Sequence, residues 1–210
     1  MDDRTAIWRA VHEERRRLAS DLQSITPEQW QTPSLCRGWS VHDVVAHLTD
    51  SARTTRLGFV RQMVRARFDF DRANDAGVAR RKASDPVQTL DAFRAAAEST
   101  CSPPGPVATR LVEAYVHGED IRRPLGIHHT YPMEHVMVAL TYMVRTSAGF
   151  GGGRERARGL CLRPPPPGGQ IGDGPEVRGE PIALLLAVSG RPTSPGELTG
   201  DGAPMLAARG

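Results

Sequence analysis

The stretch Gly38-Trp39-Ser40-Val41-His42-Asp43-Val44-Val45-Ala46-His47-Leu48 constrains this chain more than any other. Ser40 supplies a capping hydroxyl, and Asp43, three residues on, places an acid in the first turn facing the helix dipole, so a helix starts here. Val41, Val44, Val45 and Leu48 then recur on one side, which must be buried. His47 falls on that side, beside Val44 and near Leu48, so its imidazole points toward a core. A complementary stretch runs from Glu113 to Arg123, where Glu113 and His117 are four residues apart and share one helix face. One helix offers a nitrogen, the other an oxygen and a nitrogen. Three such groups meeting in a bundle core are what a catalytic zinc site with a vacant fourth position requires.

The remaining punctuation is also helical. Ile7, Val11, Leu18 and Leu22 mark a first helix over about 5–24, with Glu13, Glu14 and the run Arg15 to Arg17 assigned to its wet face. Thr26-Pro27-Glu28-Gln29 starts a short element carrying Trp30, and Pro33 ends it. The helix that begins after Ser40 is expected to continue toward Ala66, with Leu57, Val60 and Val64 on its buried side, although Gly58 weakens an unbroken reading. The polar stretch 68–85 reads as a crossover connection. Further helices are expected over 87–99, over 107–125 and from Pro132 onward. After Gly149 to Gly153 the composition shifts, and Pro164 to Pro167 reads as a stiff linker or loop. Around it the pattern predicts strands at 159–163 and 176–179, an amphipathic helix over 181–189 and a last strand near 203–206. The division is therefore a bundle over 1–150 and a small α+β segment over 151–210.

Hydrophobic residues make up 39% of the 210 and charged residues 24%, ordinary usage for a chain that buries one core. The net charge is only +3, with the arginines dispersed, which argues against nucleic-acid binding. No apolar run approaches the length that crosses a bilayer, and Met1-Asp2-Asp3-Arg4 lacks the basic and apolar regions of a secretory signal, so a cytoplasmic protein is expected. Cys36, Cys101 and Cys161 are too scattered for a disulfide framework and read as reduced thiols.

The run Pro33 to Leu48 closely resembles the start of the second helix in the mycothiol-dependent maleylpyruvate isomerase family, within the DinB-like superfamily of metal-binding helical bundles. The segment from Glu113 to Gly126 is similar to that family's second metal-ligand helix, and Glu176 to Arg191 loosely resembles its C-terminal region. The resemblance implies a mainly α fold, a DinB-like four-helix bundle with an additional helix and a small C-terminal α+β segment. It also implies that His47, Glu113 and His117 bind a divalent metal, usually zinc, and that the chain uses mycothiol or a similar small thiol on a small electrophilic metabolite, as an isomerase or an S-transferase. The C-terminal part is short and rich in proline and glycine, so no catalytic residue is carried over there, and the residues that would hold the thiol are unknown.

Each residue also has a plainer reading. His47 alone reads as an interior histidine, and Glu113 with His117 as a surface pair. Asp120, one turn beyond His117, either orients that imidazole or pairs with a neighbouring arginine, and Glu119 reads as a solvated charge. Cys36 reads as a packing thiol and Trp39 as a hydrophobic staple. From a different functional class, the same features suit a non-catalytic metal-binding bundle acting as a stress-response or interaction module. Homodimerisation through bundle faces is compatible with the sequence and not required by it.

Overall fold

The computed structural model describes residues 3–210, mainly α-helical with one small sheet. Its contacts form two compact units that divide after His128.

The first unit holds α1 (Asp3–Asp21), α2 (Val41–Arg53), α3 (Arg56–Arg65), α4 (Phe70–Arg81), α5 (Pro86–Ala95) and α6 (Ala108–Arg122), with 3-10 turns at Leu22–Ser24 and Gln29–Gln31. Helix α2 is its centre and packs against α4, α5 and α6, while α1 covers α6 and α5. The start of α2 is a capping box: Ser40 Oγ accepts from Asp43 N at 3.3 Å, and Asp43 Oδ2 accepts from Ser40 N at 2.9 Å. The phase set by that cap sends Val41, Val44, Val45 and Leu48 into a core with Leu18, Leu22, Trp30, Leu90, Phe93 and Ile121. These apolar contacts hold the two site-bearing helices, α2 and α6, side by side.

Three sequence expectations change here. The α2 helix stops at Arg53, because Thr54 is extended and Thr55 caps a new helix by accepting from Gly58 N at 3.1 Å. The re-aimed α3 leaves Leu57, Val60 and Val64 60%, 49% and 57% exposed, so they do not line the buried side. The polar stretch read as a connection contains α4, capped by Asp69 and tied to α2 through Asp50, which accepts from Arg80 at 3.0 Å and Arg81 at 3.1 Å. Its glycine matters at one point, since a Cβ on Gly77 would stand 2.7 Å from Asp50 Oδ2. Finally, Arg15 is not on a wet face. It is 3% exposed and donates to Ser99 O at 2.9 Å, while Arg16 and Arg17 remain exposed and pair with Glu98 and Glu13.

The second unit holds α7 (Met133–Arg145), α8 (Arg154–Ala157), β1 (Cys161–Arg163), β2 (Glu176–Arg178), α9 (Pro181–Val188) and α10 (Ala203–Ala207). Helix α7, counted in sequence with the bundle, packs here against α8 and α9. Strands β1 and β2 pair in parallel with Leu162 opposite Val177. Helix α9 is not amphipathic: Pro181 and every residue from Ala183 to Val188 are buried. The expected last strand is α10, begun by a proline in its first turn, and the backbone that extends the sheet comes instead from Thr199, which exchanges hydrogen bonds with Arg178 at 2.8 and 2.9 Å. Among the described residues no helix is long and apolar enough to cross a membrane.

Candidate metal and thiol site

Helices α2 and α6 carry His47 and His117 to within 4.9 Å of each other, measured between ring centroids, with the planes at 75°. Both side chains are partly buried. His117 Nδ1 lies 2.9 Å from Asp120 Oδ2, a carboxylate with no exposed surface. A carboxylate can only accept, so this contact calls for the proton on Nδ1 and turns Nε2 away from Asp120. Trp39 lies 5.1 Å from His47, its indole N–H held by Asp75 Oδ1 at 3.0 Å, and so forms a wall beside that imidazole.

Glu113 sits one turn before His117 and is fixed by two donors. Its Oε2 accepts from Ser51 Oγ at 2.6 Å and from Arg110 Nη1 at 2.8 Å, and Arg110 Nη1 also donates to Ser51 Oγ at 2.9 Å. Burial by itself would raise the carboxyl pKa, yet Arg110, His47 and the Ser51 hydrogen bond bring it down to about 2. Burial lowers His47 to about 4, with His117 adding to the fall and Glu113 opposing it. At neutral pH the cluster therefore presents an anionic carboxylate beside a neutral imidazole. Two imidazoles and one carboxylate are donor types that suit a divalent cation of the zinc type.

A second group shares His117. Ligand atoms of Cys36, His117 and Asp120 lie within 4.8 Å of one another. The loop bearing Cys36 is tied to α6 by Leu35 N, which donates to Asp120 O at 3.1 Å. Asp120 thus orients the His117 ring, and Cys36 is a partly buried thiol that packs against the core while standing next to that ring.

Of the residues singled out in the sequence, the structure sets His47 beside His117, Asp120 against His117, and Glu113 near enough to His47 to act on its charge. Among the described residues the set with ligand atoms within 4.8 Å of one another is Cys36, His117 and Asp120, and His47, Glu113 and His117 do not form one. Sequence reasoning missed Ser51 and Arg110. The signal was present in their spacing, since Ser51 is four residues after His47 and Arg110 three before Glu113, one turn away on each helix. Trp39 was read only as a staple. Glu119 is not a solvated charge: it is 6% exposed and accepts from Arg123 Nε at 2.7 Å.

The shifted histidine gives a pH dependence. Folded His47 takes up its proton near pH 4, whereas at its ordinary value of 6.5 the unfolded residue does so earlier. Below pH 6.5 the unfolded state binds more protons, so stability present at neutral pH is lost as pH falls toward 4. The expected loss for metal-free protein is about 1–2 kcal/mol at pH 5. His42, lowered by burial and by Lys82, acts with the same sign. Thermal melts of the metal-free protein at pH 7 and pH 5 check this. The Tm drop should shrink in His47→Leu, and a flat profile in the parent would contradict a neutral His47.

Residues 11–122 match the family described as the mycothiol maleylpyruvate isomerase N-terminal domain. A crystal structure of the mycothiol-dependent maleylpyruvate isomerase and one of a point mutant each superpose with a TM-score of 0.62, at 16% identity, over 95% of this chain and 92% of theirs. At that identity the likeness speaks to the fold. No curated protein matches the sequence.

Proposed function

The chain belongs to the mycothiol maleylpyruvate isomerase N-terminal domain family, and on that premise we propose that it is a thiol-dependent isomerase acting on a small electrophilic metabolite, with mycothiol as the thiol. The observation that carries this reading is the pairing of His47 with His117 across α2 and α6, beside a Glu113 held as an anion. His47, Glu113 and His117 would hold a divalent cation, zinc by the chemistry of the set. When bound, such an ion supplies positive charge that favours thiolate over a thiol whose ordinary pKa is about 8.5.

The chain's own residues do the positioning. Asp120 accepts the Nδ1 proton of His117 and fixes the ring. Ser51 and Arg110 hold the Glu113 carboxylate and keep it ionised. Trp39 confines His47 on one side. The thiolate sulfur of the cosubstrate adds to one carbon of a carbonyl-activated cis alkene, forming a C–S bond while the π electrons move toward the carbonyl. The former double bond turns as a single bond. The electrons then return, the same C–S bond breaks and the trans alkene leaves with the thiol regenerated. An S-transferase would instead keep the C–S bond and add a proton to the neighbouring carbon, giving a saturated thioether.

Metal-loaded, tag-free protein mixed with mycothiol and maleylpyruvate tests this. The expected result is isomerisation that requires the thiol and returns it unconsumed. Accumulation of a thioether would make the enzyme an S-transferase, and no turnover with any thiol and electrophile would leave a metal-binding bundle without chemistry. Asp120→Asn is expected to lower zinc affinity about 10–100-fold. Competition with a chelator reads that loss on protein whose circular dichroism is unchanged; a merely structural role for Asp120 would lower the Tm and leave the affinity of folded protein intact.

A further inference from the structure

A second cavity opens in the first unit, where the start of α1, the start of α3 and the connection from α5 to α6 meet. It measures about 230 Å³ and shares no lining residue with the His47 and His117 site; Arg4, Trp8, Thr55, Arg56, Cys101 and Gly105 are among its walls. Two features make it more than a crevice. Trp8 is 6% exposed, yet its indole Nε1 has no hydrogen-bond partner. An indole N–H can only donate, and a buried donor left unmade is a cost that native structures rarely carry without a reason. Around the ring, the His12 imidazole lies tilted at 5.6 Å and the Arg15 guanidinium stands 6.0 Å from its centroid.

The second feature is charge. Among the described residues the lining contains two arginines, Arg4 and Arg56, and no carboxylate. Thr55 Oγ accepts from Gly58 N at 3.1 Å and so keeps its own proton available to donate. Buried Arg15 adds a further cation behind the indole.

We propose that this cavity binds the oxyanion group of a small metabolite, a carboxylate or a phosphate, with Trp8 Nε1 as the inner donor and Arg4 and Arg56 at the mouth. The volume lies below the roughly 300–1,000 Å³ of pockets for drug-sized ligands, which suits a metabolite of a few carbons. The guanidinium fork matches either oxyanion.

Nuclear magnetic resonance of the full chain with ¹⁵N-labelled indoles tests the assignment, since the chain has 3 tryptophans and Trp8→Phe identifies the Trp8 signal. Succinate, inorganic phosphate and uncharged succinamide are titrated in turn at constant ionic strength set with chloride. The expected result is a saturable downfield shift of the Trp8 N–H with succinate, phosphate or both, the stronger response naming the source, and none with succinamide. Arg56→Gln, an exposed change that leaves Trp8 in place, should weaken the response at least about tenfold. No saturable shift with either anion, or an equal response to succinamide or in Arg56→Gln, would overturn the proposal.

Discussion

Glu113→Leu is expected to destabilise the first unit by about 3–5 kcal/mol, the usual cost of leaving one member of a buried ion pair uncompensated. Arg110 is 8% exposed, and its Nη1 is aimed at Glu113 and Ser51. Without the carboxylate that charge stays buried beside Ser51. The double variant Glu113→Leu with Arg110→Met removes both charges and should recover a large part of the loss. Urea melts of the single and double variants check this. Equal stability of parent and Glu113→Leu would mean that the carboxylate does not anchor Arg110.

Arg122→Met is expected to be as damaging, again by about 3–5 kcal/mol. Arg122 has no exposed surface and binds Asp21 Oδ2 at 2.7 Å through Nε and Glu14 through Nη1, so it ties α6 to α1 across the bundle. Its loss would leave Glu14, itself 4% exposed, buried without that partner. Because α6 also carries Glu113 and His117, the same variant should weaken metal retention although Arg122 is not a ligand. A Tm within a degree or two of the parent would contradict this role.

The two helices of the site were legible because their signals are local. Ser40 and Asp43 fix where α2 starts, the start fixes the phase, and the phase turns His47 inward. Four-residue spacing likewise puts Glu113 and His117 on one face of α6. Helix α4 was not legible. Its buried positions are only Ala73, Gly77 and Val78, and its attachment to α2 runs through Asp50, a partner some thirty residues away in sequence. No hydrophobic periodicity announces a helix held in that way. The end of α2 was missed for a related reason, since the Thr54 and Thr55 hydroxyls act on the backbone where sequence shows only a polar pair in an apolar repeat.

The buried arginines were the largest blind spot. Arg15, Arg110 and Arg122 look like surface charge in a chain rich in arginine, and only Arg110 has a partner marked locally, Glu113 three residues on. Arg15 meets the Ser99 carbonyl beyond the end of α5, Arg110 meets Glu113 on its own helix and the Ser51 hydroxyl of α2, and Arg122 meets Asp21 and Glu14 of α1. Of the supports on Glu113, Arg110 lies one turn away on the same helix, while the Ser51 hydrogen bond emerges only when α2 and α6 lie side by side. In α10 the expectation failed differently: a short apolar segment reads equally as strand or buried helix, and proline in the first turn decides for helix, whereas α9 is the helix expected there but buried all round rather than amphipathic.

The most direct test is the metal content of tag-free protein, measured by elemental analysis for the parent and for His47→Ala and His117→Ala, each shown to be folded by circular dichroism. Near-stoichiometric zinc in the parent and its loss in both variants is the expected result. A parent that takes up no metal even after reconstitution, or variants that retain it in full, would contradict a metal site built from His47, Glu113 and His117.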